Sequence, residues 1–335
     1  MSISNIENTR SNFGPIIIPS PPNLIKKLSE RKHTNALRTL YSRVLLTNSS
    51  TVKDQEPQKK VSKLSLKPKN IREHFLFSHL NKEQCHEIVE SILNPTHAQH
   101  LLGVELKEPF STANTIYPLL ATILQRFSLF AKEHHPDWFN EKLLSEPMIK
   151  EIGDTIISTI KKSPLELLKR FQERRPIILE LGDTAHSMTM LFFGRHLFYC
   201  NRGDPYKGQT QSLELYKFDP SNLNEDMISS IVATSGYDCE ISDEFIYTEF
   251  KDLLECKKAE KFCSSLSSLP QPSEQTKNNC VVANAKLAIK ANLIAYHGKN
   301  LTLNKLNKIQ TIYKSFTSFL RDTIEKEYLK WKQNQ

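Results

Sequence analysis

At Arg175-Pro176 the hydrophobic period of this chain changes from about 3.6 residues to about 2, and that switch constrains the fold more than any other feature. Upstream the pattern is helical. Asn81 is placed to cap a helix over 82–93, and a second over 118–134 carries Leu119, Leu120, Ile123, Leu124 and Phe127 at helical spacing before Pro136 stops it. Prolines at 147 and 164 each open a further helix, over 147–162 and 164–173. Downstream, 177–181 reads as a short strand, and 186–193 and 196–201 pair as a hairpin about Gly194-Arg195, with another strand at 213–218. Helical patterns then return at 222–233, 245–262, 280–296 and 303–331. The expected fold class is α+β: a mostly helical N-terminal part, then a small antiparallel sheet packed on a helix. The expected division is a basic segment over 1–70, a helical region over 71–173, an α+β domain over 174–300 and a C-terminal amphipathic helix over 301–335.

The 335 residues are 39% apolar, with no unbroken apolar stretch of membrane-spanning length. The start, Met-Ser-Ile-Ser-Asn-Ile-Glu-Asn, lacks a secretory pattern, so a cytoplasmic setting is expected. Six scattered cysteines (85, 200, 239, 256, 263 and 280) without a C-x-x-C pair indicate free thiols and argue against a tetrathiolate zinc site. No metal or cofactor is expected. Residues 1–70 carry thirteen Lys and Arg against four Asp and Glu, so nearly all of the formal charge of +8 belongs there. That segment reads as disordered, apart from a short amphipathic helix over 23–46. It is suited to weak contact with acidic surfaces, and it carries no nucleic-acid motif.

Within the second half, Gln275-Thr-Lys-Asn-Asn-Cys280 ends at the start of an alanine-rich helix, which Asn279 could cap. A cysteine there feels the positive end of the helix dipole, which favours the nucleophilic thiolate. A cysteine hydrolase also needs an imidazole, a group that orients it and an oxyanion donor. If Phe193 faces His196 across the turn, Asn201 faces Met188 and lies diagonal to His186 on one face of the hairpin. Asn201 is therefore favoured as the orienting group, with Asp204 in reserve should the register slip by one. Met188, Met190, Phe192, Leu197 and Tyr199 share that face, and packing it under the Cys280 helix would bring thiol and imidazole together. Gln275 is the favoured oxyanion donor, ahead of Gln271 and Asn278. A histidine beside a strand and a cysteine on an apolar helix each have an ordinary structural role. Their order and spacing in combination point to chemistry.

The order His186, Asn201, Gln275, Cys280 resembles the adenain and ubiquitin-like-protein protease superfamily, and effectors of that clan which bacteria deliver into host cells, including an acetyltransferase branch. Ser187 stands where an aromatic residue often follows the histidine, and Val281 where a glycine commonly follows the cysteine. The resemblance covers about residues 176–300. It implies a cysteine-protease-like domain in which Cys280 is the nucleophile, His186 the base, Asn201 the orienting residue and Gln275 the oxyanion donor. It implies cleavage of peptide or isopeptide bonds of ubiquitin or a ubiquitin-like modifier by a secreted bacterial effector. The alternatives are acetyl transfer through the same cysteine, or a non-catalytic helical interaction protein.

Overall fold

A computed structural model describes residues 76–78, 80–103, 113–182, 187–202, 212–234, 250–267, 280–298 and 301–335. The basic segment, the 23–46 helix, His186, Asp204, Gln271, Gln275, Asn278 and Asn279 lie outside the described residues. The fold class is α+β, with a helical N-terminal part and an antiparallel five-stranded sheet.

The helical part opens with α1 (Lys82–Ile92), where Asn81 and Gln84 form a reciprocal capping box. Next come α2 (Pro95–Leu102), α3 (Ala113–His134), α4 (Pro136–Asn140), α5 (Glu146–Lys161) and α6 (Pro164–Gln172). Ser145 and Ser163 cap α5 and α6, and a proline follows each cap inside the first turn. The helix expected from Pro118 begins five residues earlier, at Ala113, with Pro118 inside it. Pro118 is the sixth residue of α3, past the first turn, so its missing N–H removes one bond from the helical ladder. Pro136 ends α3 and sits at the first position of α4, where the N–H has no intrahelical partner anyway.

Arg170 marks the junction where the period changes. Its side chain is 4% exposed, with Nε donating to the Pro176 carbonyl at 2.8 Å and Nη2 to Glu151 Oε1 at 2.5 Å. Arg175 grips the same carboxylate from outside, Nη2 to Oε2 at 2.8 Å. One glutamate on α5 therefore fixes both ends of the turn that launches the sheet.

The strands are β1 (Ile177–Gly182), β2 (Ser187–Phe193), β3 (His196–Cys200), β4 (Leu213–Lys217) and β5 (Lys257–Lys258), paired in chain order. Phe193 pairs with His196 as the turn requires, and the ladder runs to Thr189 opposite Cys200. After β4, α7 spans Glu225–Thr234 and α8 spans Glu260–Ser267. The single helix expected over 245–262 is corrected. Helical backbone at 250–253 ends at Glu255 (φ 53°), and Lys257-Lys258 pair with the edge of β4. Buried Glu214 explains that edge: Lys258 Nζ reaches its Oε1 at 2.6 Å, and the Tyr216 hydroxyl donates to Oε2 at 2.8 Å.

Two helices complete the chain, α9 (Cys280–His297) and α10 (Leu303–Gln333). The stripe Leu306, Ile309, Tyr313, Phe316, Leu320, Ile324 and Tyr328 on α10 is buried. Glu327 ties α10 to the helical part, accepting from Arg126 Nη1 at 3.1 Å and the Leu76 amide at 2.8 Å.

The two faces of the sheet meet different helices, and this corrects the expected packing. Met188, Met190, Phe192, Leu197 and Tyr199 pack on Leu167 and Phe171 of α6 and on Met227, Ile228 and Ile231 of α7. The Cys280 helix, α9, joins Leu191, Phe198 and Cys200 on the opposite face. Both faces of β2 are buried, so strand periodicity selects which residues share a face but not which helix covers it.

Candidate functional site

The first turn of α9 draws together the chain segments singled out in the sequence. Asn284, one turn after Cys280 and fully buried, makes the junction. Its Nδ2 donates to the Ser187 carbonyl, and its Oδ1 accepts from the Arg202 amide at 2.9 Å. Ser187 directly follows His186, and Arg202 directly follows Asn201. The residue after the expected base and the residue after the expected orienting group are therefore pinned to one side chain beneath the cysteine. Asn201 is 1% exposed, and its own amide donates to the Ser212 carbonyl at 2.9 Å, bringing the start of β4 alongside. Because β2 begins at Ser187, the strand alternation that was to set the face of His186 starts one residue after it.

The Cys280 thiol is half-buried at the open end of the helix. Burial is the largest influence on it and, with the Glu180 carboxyl, pushes its pKa above the ordinary thiol value. The amides of Ser187, Val281 and Cys280 itself oppose that rise. The expected thiolate is thus not the ground state among the described groups, since desolvation outweighs the helix start. The backbone amides of Ser187, Val281 and Cys280, which favour the anionic form, are the chemically useful part. Such donors stabilise anionic charge as it develops at this point.

Glu180, on β1, is a further functional candidate. Burial pushes its pKa up to about 7, against the Ser187 hydroxyl, which donates to Oε1 at 2.9 Å. Tyr117, buried on α3, lies beside the same carboxyl and beside Thr189. Neither its hydroxyl nor that of Thr189 reaches hydrogen-bond geometry with a described residue. The signal was present in the sequence: Ile177-Ile-Leu-Glu180-Leu places a carboxylate in the middle of an apolar strand, where it cannot avoid the core. Asn284 offered a similar signal, as a polar residue in a helix apolar on nearly every side.

A groove of about 620 Å³ lies elsewhere, floored by Phe198, Leu215, Ile294 and Leu306 and rimmed by Lys217 and Lys257. It sits toward the C-terminal end of α9, about 20 Å along the helix from Cys280, and forms no part of the cysteine site. Among the described residues no helix is long and apolar enough to cross a membrane.

No protein-family model matches the sequence, and no curated protein matches it. Among solved structures, that of the Legionella effector AnkH is similar, with a TM-score of 0.51 at 15% identity. The match covers 72% of this chain and 51% of that one, so this chain accounts for about half the length of its neighbour. At that identity the likeness is one of fold.

Proposed function

We propose that the protein is a cysteine hydrolase acting on peptide or isopeptide bonds of ubiquitin or a ubiquitin-like modifier, as a bacterial effector delivered into a host cell. One observation carries the reading: Asn284 holds the residues that follow His186 and Asn201 on the first turn of the helix that begins with Cys280. A shared fold with a Legionella effector is compatible with the setting.

In this reading the Cys280 sulfur attacks the scissile carbonyl. His186 takes the thiol proton and passes it to the leaving amine as the carbon–nitrogen bond breaks. Asn201 orients the imidazole, and Gln275 with the amides at the start of α9 stabilises the oxyanion. Water then hydrolyses the thioester, with His186 as base, and regenerates the thiol. Burial raises the resting thiol, so the base is indispensable rather than auxiliary.

The test uses ubiquitin and ubiquitin-like proteins carrying a C-terminal electrophile, read by intact mass. A covalent adduct on the wild-type chain that Cys280→Ala abolishes supports the assignment. An adduct that survives the substitution, or no adduct with any probe, overturns it.

A further inference from the structure

The groove beside β4 joins an apolar floor to a cationic row. Phe198 and Leu215 are register partners on the sheet face that α9 covers, and Ile294 and Leu306 complete the floor with them. Strand alternation returns each chain to that face two residues away, at His196 and Lys217, which also pair with each other. Lys217 pairs in turn with Lys257 on β5. A row of His196, Lys217 and Lys257 therefore crosses three strands beside the apolar row, and all three residues line the groove. The space is about 620 Å³, within the roughly 300–1,000 Å³ of small-ligand pockets. It opens to solvent, since Lys217, Lys257 and Leu303 on its rim are exposed. Leu303, at 54%, is the most exposed large apolar side chain among the described residues.

Two lysines directly opposite one another on neighbouring strands repel, and neither Lys217 nor Lys257 has an acidic partner among the described residues. Lysine on an edge strand discourages pairing with another sheet. That role needs no second lysine on β4 and no apolar hollow beside it. The other charges on the rim are matched: Lys258 meets Glu214 at 2.6 Å, and Lys261 on α8 stands beside Glu260 in the sequence. Burial, then Lys217 and Arg195, lowers the His196 pKa, so the charge of the row at neutral pH is that of its two lysines. Side-by-side ammonium groups suit the two oxygens of one carboxylate, and the floor suits a hydrocarbon chain.

We propose that this groove, between β4, β5, α8 and the C-terminal end of α9, binds a long-chain fatty acid. Its carboxylate meets Lys217 and Lys257, and its chain lies along Phe198, Leu215, Ile294 and Leu306. The site is independent of the reaction at Cys280.

Dodecanoate is titrated against the full chain by calorimetry below its micellar concentration, alongside octanoate and dodecyltrimethylammonium. The predicted result is that dodecanoate binds, octanoate binds at least tenfold more weakly because less chain is buried, and the cationic amphiphile does not bind. The double variant Lys217→Glu and Lys257→Glu, at two exposed positions, should weaken dodecanoate at least tenfold. Ala295→Trp, which fills the groove and leaves its charge intact, should do the same. The lysine variant keeps the test available if Ala295→Trp does not fold. No dodecanoate binding, equal binding of the cationic amphiphile, or an affinity unchanged in either folded variant overturns the proposal.

Discussion

At the scale of single residues, Asn284 and Glu180 carry most of the site's logic. Asn284 satisfies the Ser187 carbonyl at the start of β2 and the Arg202 amide just past the end of β3. Asn284→Leu should leave both unpaired and lower unfolding free energy by about 2–4 kcal/mol, read from the urea midpoint at unchanged slope. Glu180 makes a pH-dependent contribution of known sign. Its folded pKa of about 7 lies above the ordinary 4.5, so the native state holds the proton more tightly. Its stabilising contribution is complete below pH 4.5 and is lost as pH rises to about 7. Relative to Glu180→Gln, the wild type should lose up to about 3 kcal/mol across that window, measured by denaturation at a series of pH values. A flat difference would show that Glu180 is solvated in the folded chain.

At the scale of elements, the α5–α6–β1 junction and the β4–β5 edge each rest on one carboxylate, half-buried Glu151 and buried Glu214. Glu151 serves Arg170 and Arg175 together, and Glu151→Ala leaves the 4%-exposed Arg170 side chain without its carboxylate. The expected cost is about 3–5 kcal/mol. Leu287→Ala, at a fully buried position of α9, should cost about 2–5 kcal/mol by leaving a cavity among helices and sheet.

How far these elements were legible differs from case to case. The hairpin register followed from a two-residue turn and apolar alternation, and the helix starts from Asn81 as a cap and from the prolines at 147 and 164. Residues 245–262 deceived because an apolar, lysine-rich run supports a helix, whereas Glu214 in β4, far along the chain, draws Lys258 into the sheet edge. The packing partner of α9 was illegible for a related reason: a helix apolar on almost every side points nowhere, and a strand buried on both faces accepts helices from either side. Within the site, the Cys280 helix was expected to approach the hairpin through the Met188 face, whereas it packs on the opposite one. The Asn284 clasp was not legible, since only the fold shows which backbone groups its amide meets.

At the scale of the molecule, one apolar core runs from Phe77 in the N-terminal part through α9 to Trp331 at the end of α10, while a second lies on the far face of the sheet. The helix that opens with Cys280 is the central member of the larger core, so the site's floor is rigid and its reactive end lies at the rim. The central claim is that His186 overcomes the burial that otherwise keeps Cys280 a thiol. The direct measurement is the rate of Cys280 alkylation by iodoacetamide near pH 7.5, quantified by peptide mass spectrometry in wild type and in His186→Ala, with the other five cysteines as internal references. A Cys280 rate at least about tenfold lower in the variant, with the reference cysteines unchanged, is the predicted result. Equal Cys280 rates in the two proteins would contradict the account.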